Sequence, residues 1–184
     1  MSERFPEVKG RGFEFALKKT GEGRVKAYES AKLPEYSTRG SAAADFFCAE
    51  RVEIPSIWDS VKEYEKAING HQSYTVRPTM VHTGIKSFME EDEVLHLYNR
   101  SSNPGKRGLV LANSVGVVDS DYYGNPDNDG EIMFAFYNFN PFPIVIEVGE
   151  KIGQGEFTKF LRPTIGCNVK DESRVGGFGS TGRE

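Results

Sequence analysis

Turn residues cut this chain into short lengths. Twenty glycines and nine prolines are spread over 184 residues, and the apolar runs between them are short, which favours many strands over long helices. Candidate strands cover 12–18, 46–54, 80–87, 93–98, 108–111, 131–137, 144–148 and 152–160, bounded by turn signals such as Asn103-Pro104-Gly105 and Asn140-Pro141. The expected class is mainly β, as a sandwich, jelly roll or barrel. One segment departs from this. Ile57, Val61, Tyr64 and Ile68 recur at helical spacing behind Pro55-Ser56, with Asp59 three residues past Ser56 as N-cap. The pattern predicts a helix over 57–68 within an insertion of about 56–70, either packed outside the sheets or offered to a protein partner.

The length suits one domain, read as a β unit over 1–172 followed by a flexible glycine-rich arm over 173–184. With 27 acidic and 23 basic residues the net charge is -4, so duplex nucleic acid is not an expected partner, while local cations can still hold a small anion. The lysines and arginines before Arg39 read as solvated surface. Cys48 and Cys167 form no CxxC pair and are expected to be buried, reduced thiols of a cytoplasmic protein. The opening MSERFPEVKG has no leader-like apolar stretch, and no run approaches the roughly 18 residues of a membrane span.

Three segments carry chemistry. The tail Arg174-Val-Gly-Gly-Phe-Gly-Ser-Thr-Gly182 formally satisfies GxGxxG, but the chain ends two residues later, leaving no helix to complete a dinucleotide fold. It reads instead as a flap whose amides and hydroxyls close over phosphate oxygens, with Phe178 needing a surface to stack on. Arg100-Ser101-Ser102, at a strand end, combines a planar guanidinium with two neutral donors suited to phosphate. In Asn113-Ser-Val-Gly-Val-Val-Asp119-Ser-Asp-Tyr122, a glycine and two valines lead to Asp119 at the edge of an apolar wall. Partial desolvation there would make it a general base. The same physical argument applies to Asp121. His71, His82 and His96 are 11 and 14 residues apart, so no paired metal-ligand motif is formed and each reads as structural. A triphosphate site would recruit Mg²⁺ largely through the substrate's own oxygens and water.

In order, these segments resemble the five motifs of the trimeric dUTP diphosphatases (dUTPases), over most of the chain from about residue 40 to the end, and most resemble the subgroup from Gram-positive bacteria and their phages. Ser41 to Phe46 matches the first motif, Arg100-Ser-Ser the second, Asn113 to Tyr122 the third, Gly149 to Gln154 the fourth and Arg174 to Gly182 the fifth. The resemblance implies a jelly-roll homotrimer with sites between subunits, hydrolysing dUTP to dUMP and pyrophosphate with Mg²⁺. Such an activity limits uracil incorporation into DNA and supplies dUMP for thymidylate synthesis.

By the same resemblance, Asp119 orients the attacking water and Asn113 reads the uracil edge. The backbone of Gly116, Val117, Val118 and Met133 forms the base-excluding hairpin, and Tyr122 packs under the deoxyribose. Arg100, Ser101, Ser102 and Gln154 hold phosphates. Arg174, Gly179, Ser180 and Thr181 grip the γ end while Phe178 stacks on uracil. No direct protein ligand to Mg²⁺ is implied. Asp45 either reaches its water shell or holds neighbouring site groups. Three departures stand out: Ala-Ala in the first motif where glycine and a bulky residue are commoner, Gly153 where alanine is usual, and a longer turn over 125–129. A dCTP deaminase is the alternative enzyme, disfavoured by the arm with Phe178. A dUTPase-fold regulatory protein acting through the 57–68 helix is the alternative of another class.

Overall fold

The computed structural model describes residues 10–21, 23–69 and 76–167, with backbone alone over 64–69. Thirteen strands and one α-helix are described: β1 Gly12–Phe15, β2 Leu17–Thr20, β3 Gly23–Lys26, β4 Ala44–Phe47, β5 Val52–Ile54, α1 Ile57–Asn69, β6 Thr79–His82, β7 Ile85–Phe88, β8 Glu93–Asn99, β9 Leu109–Leu111, β10 Val115–Asp119, β11 Met133–Asn138, β12 Ile144–Ile146 and β13 Lys151–Lys159. The fold is a mainly β jelly roll, and its named strands pair antiparallel.

A four-stranded sheet in the order β10-β8-β13-β4 faces a three-stranded sheet in the order β6-β11-β9. Period-two side-chain alternation supplies the core between them. Phe134 and Phe136 of β11 point inward, as do Leu95 and Leu97 of β8, Phe46 of β4 and Ile152 of β13. The rings of Phe46 and Phe134 lie 5.6 Å apart and bridge the two sheets. Buried Asn138 donates to Ile54 O at 3.0 Å and Phe142 O at 2.9 Å, tying the β5 edge to the turn after β11.

Three expected strands are each divided in two. Residues 12–18 break at Ala16, which is fully buried and bonds out of the strand to Gly84 O and Ala27 N. Here the chain leaves β7, partner of β1, for the β2–β3 hairpin. Residues 46–54 become β4 and β5, and residues 80–87 become β6 and β7 across Gly84 at φ +65. At each break the chain turns a corner and changes sheets, which a continuous apolar run does not signal. β3 and β10 were not among the expected strands.

The helix forms where predicted. Ser56 Oγ accepts from Trp58 N at 3.2 Å, a capping bond, and donates to Asn140 O at 2.6 Å. The Trp58 indole donates to Phe139 O at 3.3 Å, so the start of α1 is fastened to the outside of the 138–140 turn. No helix among the described residues is long and apolar enough to cross a membrane. Cys48 is buried, and burial pushes its thiol up to about 11. Cys167 does not match the expectation of burial. It is exposed, because it follows β13 in a segment that leaves the core, where Leu161 and Ile165 are exposed too.

Candidate active site

β10 presents its residues alternately. Gly116 and Val118 face the core, while Val115, Val117 and Asp119 face outward. The glycine is required by packing, since a Cβ there would lie 2.9 Å from Leu97 Cβ. Among the described strands β10 is also an edge strand of its sheet, and an edge presents backbone donors and acceptors on its outer side. Met133 begins β11 in the other sheet and pairs with His82, so it is not the cross-strand partner of 116–118. Asn113 is exposed in the turn before β10, beside Ser114 at φ 59.

Asp119 ends β10 and is itself exposed, and Val117 beside it is 59% exposed. The partial desolvation expected of this carboxylate is therefore not found in the chain by itself, because alternation turns Val115 and Val117 outward along with it. Asp121, also exposed, lies in the short helical turn Ser120–Tyr122. Tyr122 is separated from both by burial, at 5% exposure.

The second cluster gathers at the opposite end of the same sheet. Asp45 Oδ2 accepts from Lys151 Nζ and from Ser37 Oγ, each at 2.7 Å, and Arg100 Nε lies 3.6 Å from Oδ1. Burial alone would raise the Asp45 carboxyl; hydrogen bonds from Lys151 and Ser37, with the charges of Lys151 and Arg100, outweigh it and hold the group below its ordinary value. Arg100 also donates to Lys151 O at 3.2 Å. Gln154 stands opposite Asp45 on β4 and Tyr98 on β8, and donates to Asn99 O at 3.4 Å.

Ser101 and Ser102 enter a single wide helical turn, Asn103–Arg107. Its anchor is Asn103, 1% exposed, whose amide donates to Asn99 Oδ1 at 2.7 Å and Ile152 O at 2.8 Å. Sequence reasoning took Asn103-Pro104 as a boundary and missed this role, as it missed Ser37 and Lys151. No local signal marks Asn103 as an anchor, because its burial is set by tertiary contact with Ile152.

Register fixes the distance between the two clusters. In the antiparallel β8–β10 pair, Tyr98 faces Val115 and Val94 faces Asp119, so Arg100 lies beyond the Val115 end. At about 3.4 Å per residue, Asp119 lies four residues, about 14 Å, from Val115 and about 20 Å along the sheet from the level of Arg100. One chain thus brings Asp45, Arg100 and Gln154 together and sets Asp119 and Tyr122 apart from them. Arg174, Phe178, Gly179, Ser180 and Thr181 lie outside the described residues, as does His71. Among the described residues no group of three or more His, Cys, Asp or Glu gathers to hold a metal ion.

No protein-family model matches the chain. A deoxyuridine 5'-triphosphate nucleotidohydrolase from Lactococcus lactis is 41% identical over 175 residues, covering 95% of this chain and 99% of the relative. The chain belongs to the dUTPase family. A Wolinella succinogenes enzyme of the same name is 30% identical over 91% of this chain and 97% of its own length. The crystal structure of the dUTPase from Streptococcus mutans superposes with a TM-score of 0.64 at 38% identity, covering 83% of this chain and 98% of that one. The Staphylococcus bacteriophage 80alpha dUTPase shares the fold at a TM-score of 0.60 and 16% identity.

Proposed function

We propose that this chain hydrolyses dUTP to dUMP and pyrophosphate, in the cytoplasm, at sites built between the subunits of a homotrimer. Membership of the dUTPase family over nearly the whole chain supports the reaction. The observation that carries the site is the placement of Asp119 at the outward end of β10, three residues before buried Tyr122.

In this reading Asp119 orients a water in line with the α-phosphorus and takes its proton as the bond to phosphorus forms and pyrophosphate leaves. Asn113 and the outer edge of β10 read the uracil, with Met133 completing the wall, and Tyr122 lies under the deoxyribose. Arg100, Ser101, Ser102 and Gln154 come from a neighbouring subunit and donate to the phosphates. Arg174, Phe178, Gly179, Ser180 and Thr181 close over the γ end and the base. Catalysis is then mostly positioning and charge neutralisation.

Both oxygens of Asp45 already face cationic partners. Its contacts support the role of holding Arg100 and Lys151 over that of a metal ligand. Mg²⁺, carried on the triphosphate, supplies neutralisation of the phosphate charge.

The test is pyrophosphate release from dUTP, dCTP, dTTP and UTP by the wild type and Asp119→Asn. Only dUTP is expected to turn over well, and the substitution lowers kcat by about a thousandfold with little change in binding. Comparable turnover of dCTP, or an undiminished Asp119→Asn enzyme, overturns the assignment.

A further inference from the structure

The loop between Tyr122 and β11 is long and tightly fastened. Asp129 Oδ2 accepts from buried Lys86 Nζ and from Leu17 N, each at 2.9 Å. The Glu131 carboxylate accepts from Gly84 N at 2.9 Å and meets His82 Nδ1 at 3.1 Å. Gly130 has φ +81, and a Cβ there would lie 2.5 Å from Tyr122 O, so the loop closes directly against the tyrosine's backbone.

Asn128 turns to the tyrosine's other end. Its amide donates to Tyr122 Oη at 2.8 Å and to Glu131 O at 3.3 Å, while its Oδ1 accepts from Gly130 N at 3.1 Å. The Tyr122 hydroxyl in turn donates to Glu131 O at 3.4 Å. Amide, phenol and carbonyl form a closed triangle behind the ring.

We infer that Asn128 is a positioning residue for sugar selectivity, holding the Tyr122 ring as a stiff wall that a ribonucleotide's 2′-hydroxyl cannot displace. This rests on the reading of Tyr122 as the surface under the deoxyribose. A pocket rejects an added hydroxyl through steric exclusion, so selectivity depends on how little the wall yields. A phenol ring can tilt. A donor 2.8 Å from its oxygen, itself locked to Gly130, opposes that tilt. Truncating Asn128 removes the donor and opens space at the ring's outer end.

The experiment compares kcat/KM for dUTP with that for UTP in the wild type, Asn128→Ala, Tyr122→Phe, their double variant and Tyr122→Ala. For Asn128→Ala the dUTP:UTP ratio is expected to fall about tenfold, mainly through a gain with UTP. Tyr122→Phe is expected to lower the ratio in the same direction, and the double variant to cost less than the sum of the two, since both substitutions remove the Asn128–Tyr122 hydrogen bond. An unchanged ratio in Asn128→Ala while Tyr122→Ala lowers it overturns the role of Asn128 and leaves that of Tyr122. An unchanged ratio in Tyr122→Ala overturns the reading of the wall and this inference with it. Equal losses on both substrates in Asn128→Ala assign it to loop stability alone and also overturn the inference.

Discussion

A Cβ built on Gly153 would lie 2.0 Å from Phe134 Cε1 and 2.5 Å from two further atoms of that ring. The ring has no room to retreat, since it packs on Phe46 at 5.6 Å and stacks on Phe136 at 6.3 Å. The departure from the usual alanine in the fourth motif is therefore compensated from the facing sheet. Gly153→Ala should destabilise the protein by about 1–3 kcal/mol through overpacking, read from urea unfolding midpoints. Adding Phe134→Leu should recover part of that loss. A neutral Gly153→Ala would mean the strand shifts freely, contrary to the close packing. Under the proposed phosphate role of Gln154, the next residue, the substitution also lowers turnover, because a displaced β13 moves Gln154 relative to Arg100.

Between elements, His82 on β6 is joined to Glu131, just before β11. The hydrogen bond that His82 donates to Glu131 raises the His82 pKa above its ordinary 6.5 against the lowering effect of burial, and the charges of Glu131 and Glu50 add to the rise. The Tyr28 ring lies 5.4 Å from the imidazole. A His whose folded pKa is raised contributes stability that is complete below 6.5 and is lost as pH rises through the higher folded value. Urea midpoints should therefore decline from about pH 6.5 upward in the wild type, and His82→Gln should flatten that part of the profile. An unchanged slope in the variant would assign the dependence to another group.

This pairing was not legible in the sequence, where His82 and Glu131 are 49 residues apart. The helix over 57–68 was legible because period, cap and preceding proline agree locally, and the structure extends it by one residue to Asn69. The interiors of most strands were legible from apolar runs. The corners at Ala16 and Gly84 were not, because a strand changing sheets keeps its apolar character. β10 escaped the strand reading because Gly116, Val117 and Val118 read as an apolar wall leading to Asp119 rather than as alternation. At the site, the motif residues were identifiable, but their supports Asn103, Lys151 and Asn128 depend on contacts remote in sequence or hidden within a loop.

For the molecule as a whole, the decisive geometry is that one chain keeps Asp119 about 20 Å along the sheet from Arg100. A carboxylate acting on the α-phosphorus cannot share a triphosphate with Arg100 and Gln154 of its own sheet at that separation without the chain rearranging. Cyclic symmetry removes the difficulty, because a neighbour's Arg100 end can be brought to each Asp119. The outward row Val115, Val117 and Asp119 would then gain the desolvation that the protomer lacks. Shared sites have a quantitative signature. Asp119→Asn and Arg100→Ala chains, each inactive alone, should regain activity when unfolded together in equal amounts and refolded. A site needs Asp119 from an Arg100→Ala chain and Arg100 from an adjoining Asp119→Asn chain, so random assembly restores about a quarter of wild-type turnover. A mixture as inactive as its parents would place both residues in one chain's site and require the sheet to deform around the substrate. Sedimentation of the refolded mixture, run alongside, separates that outcome from failure to assemble.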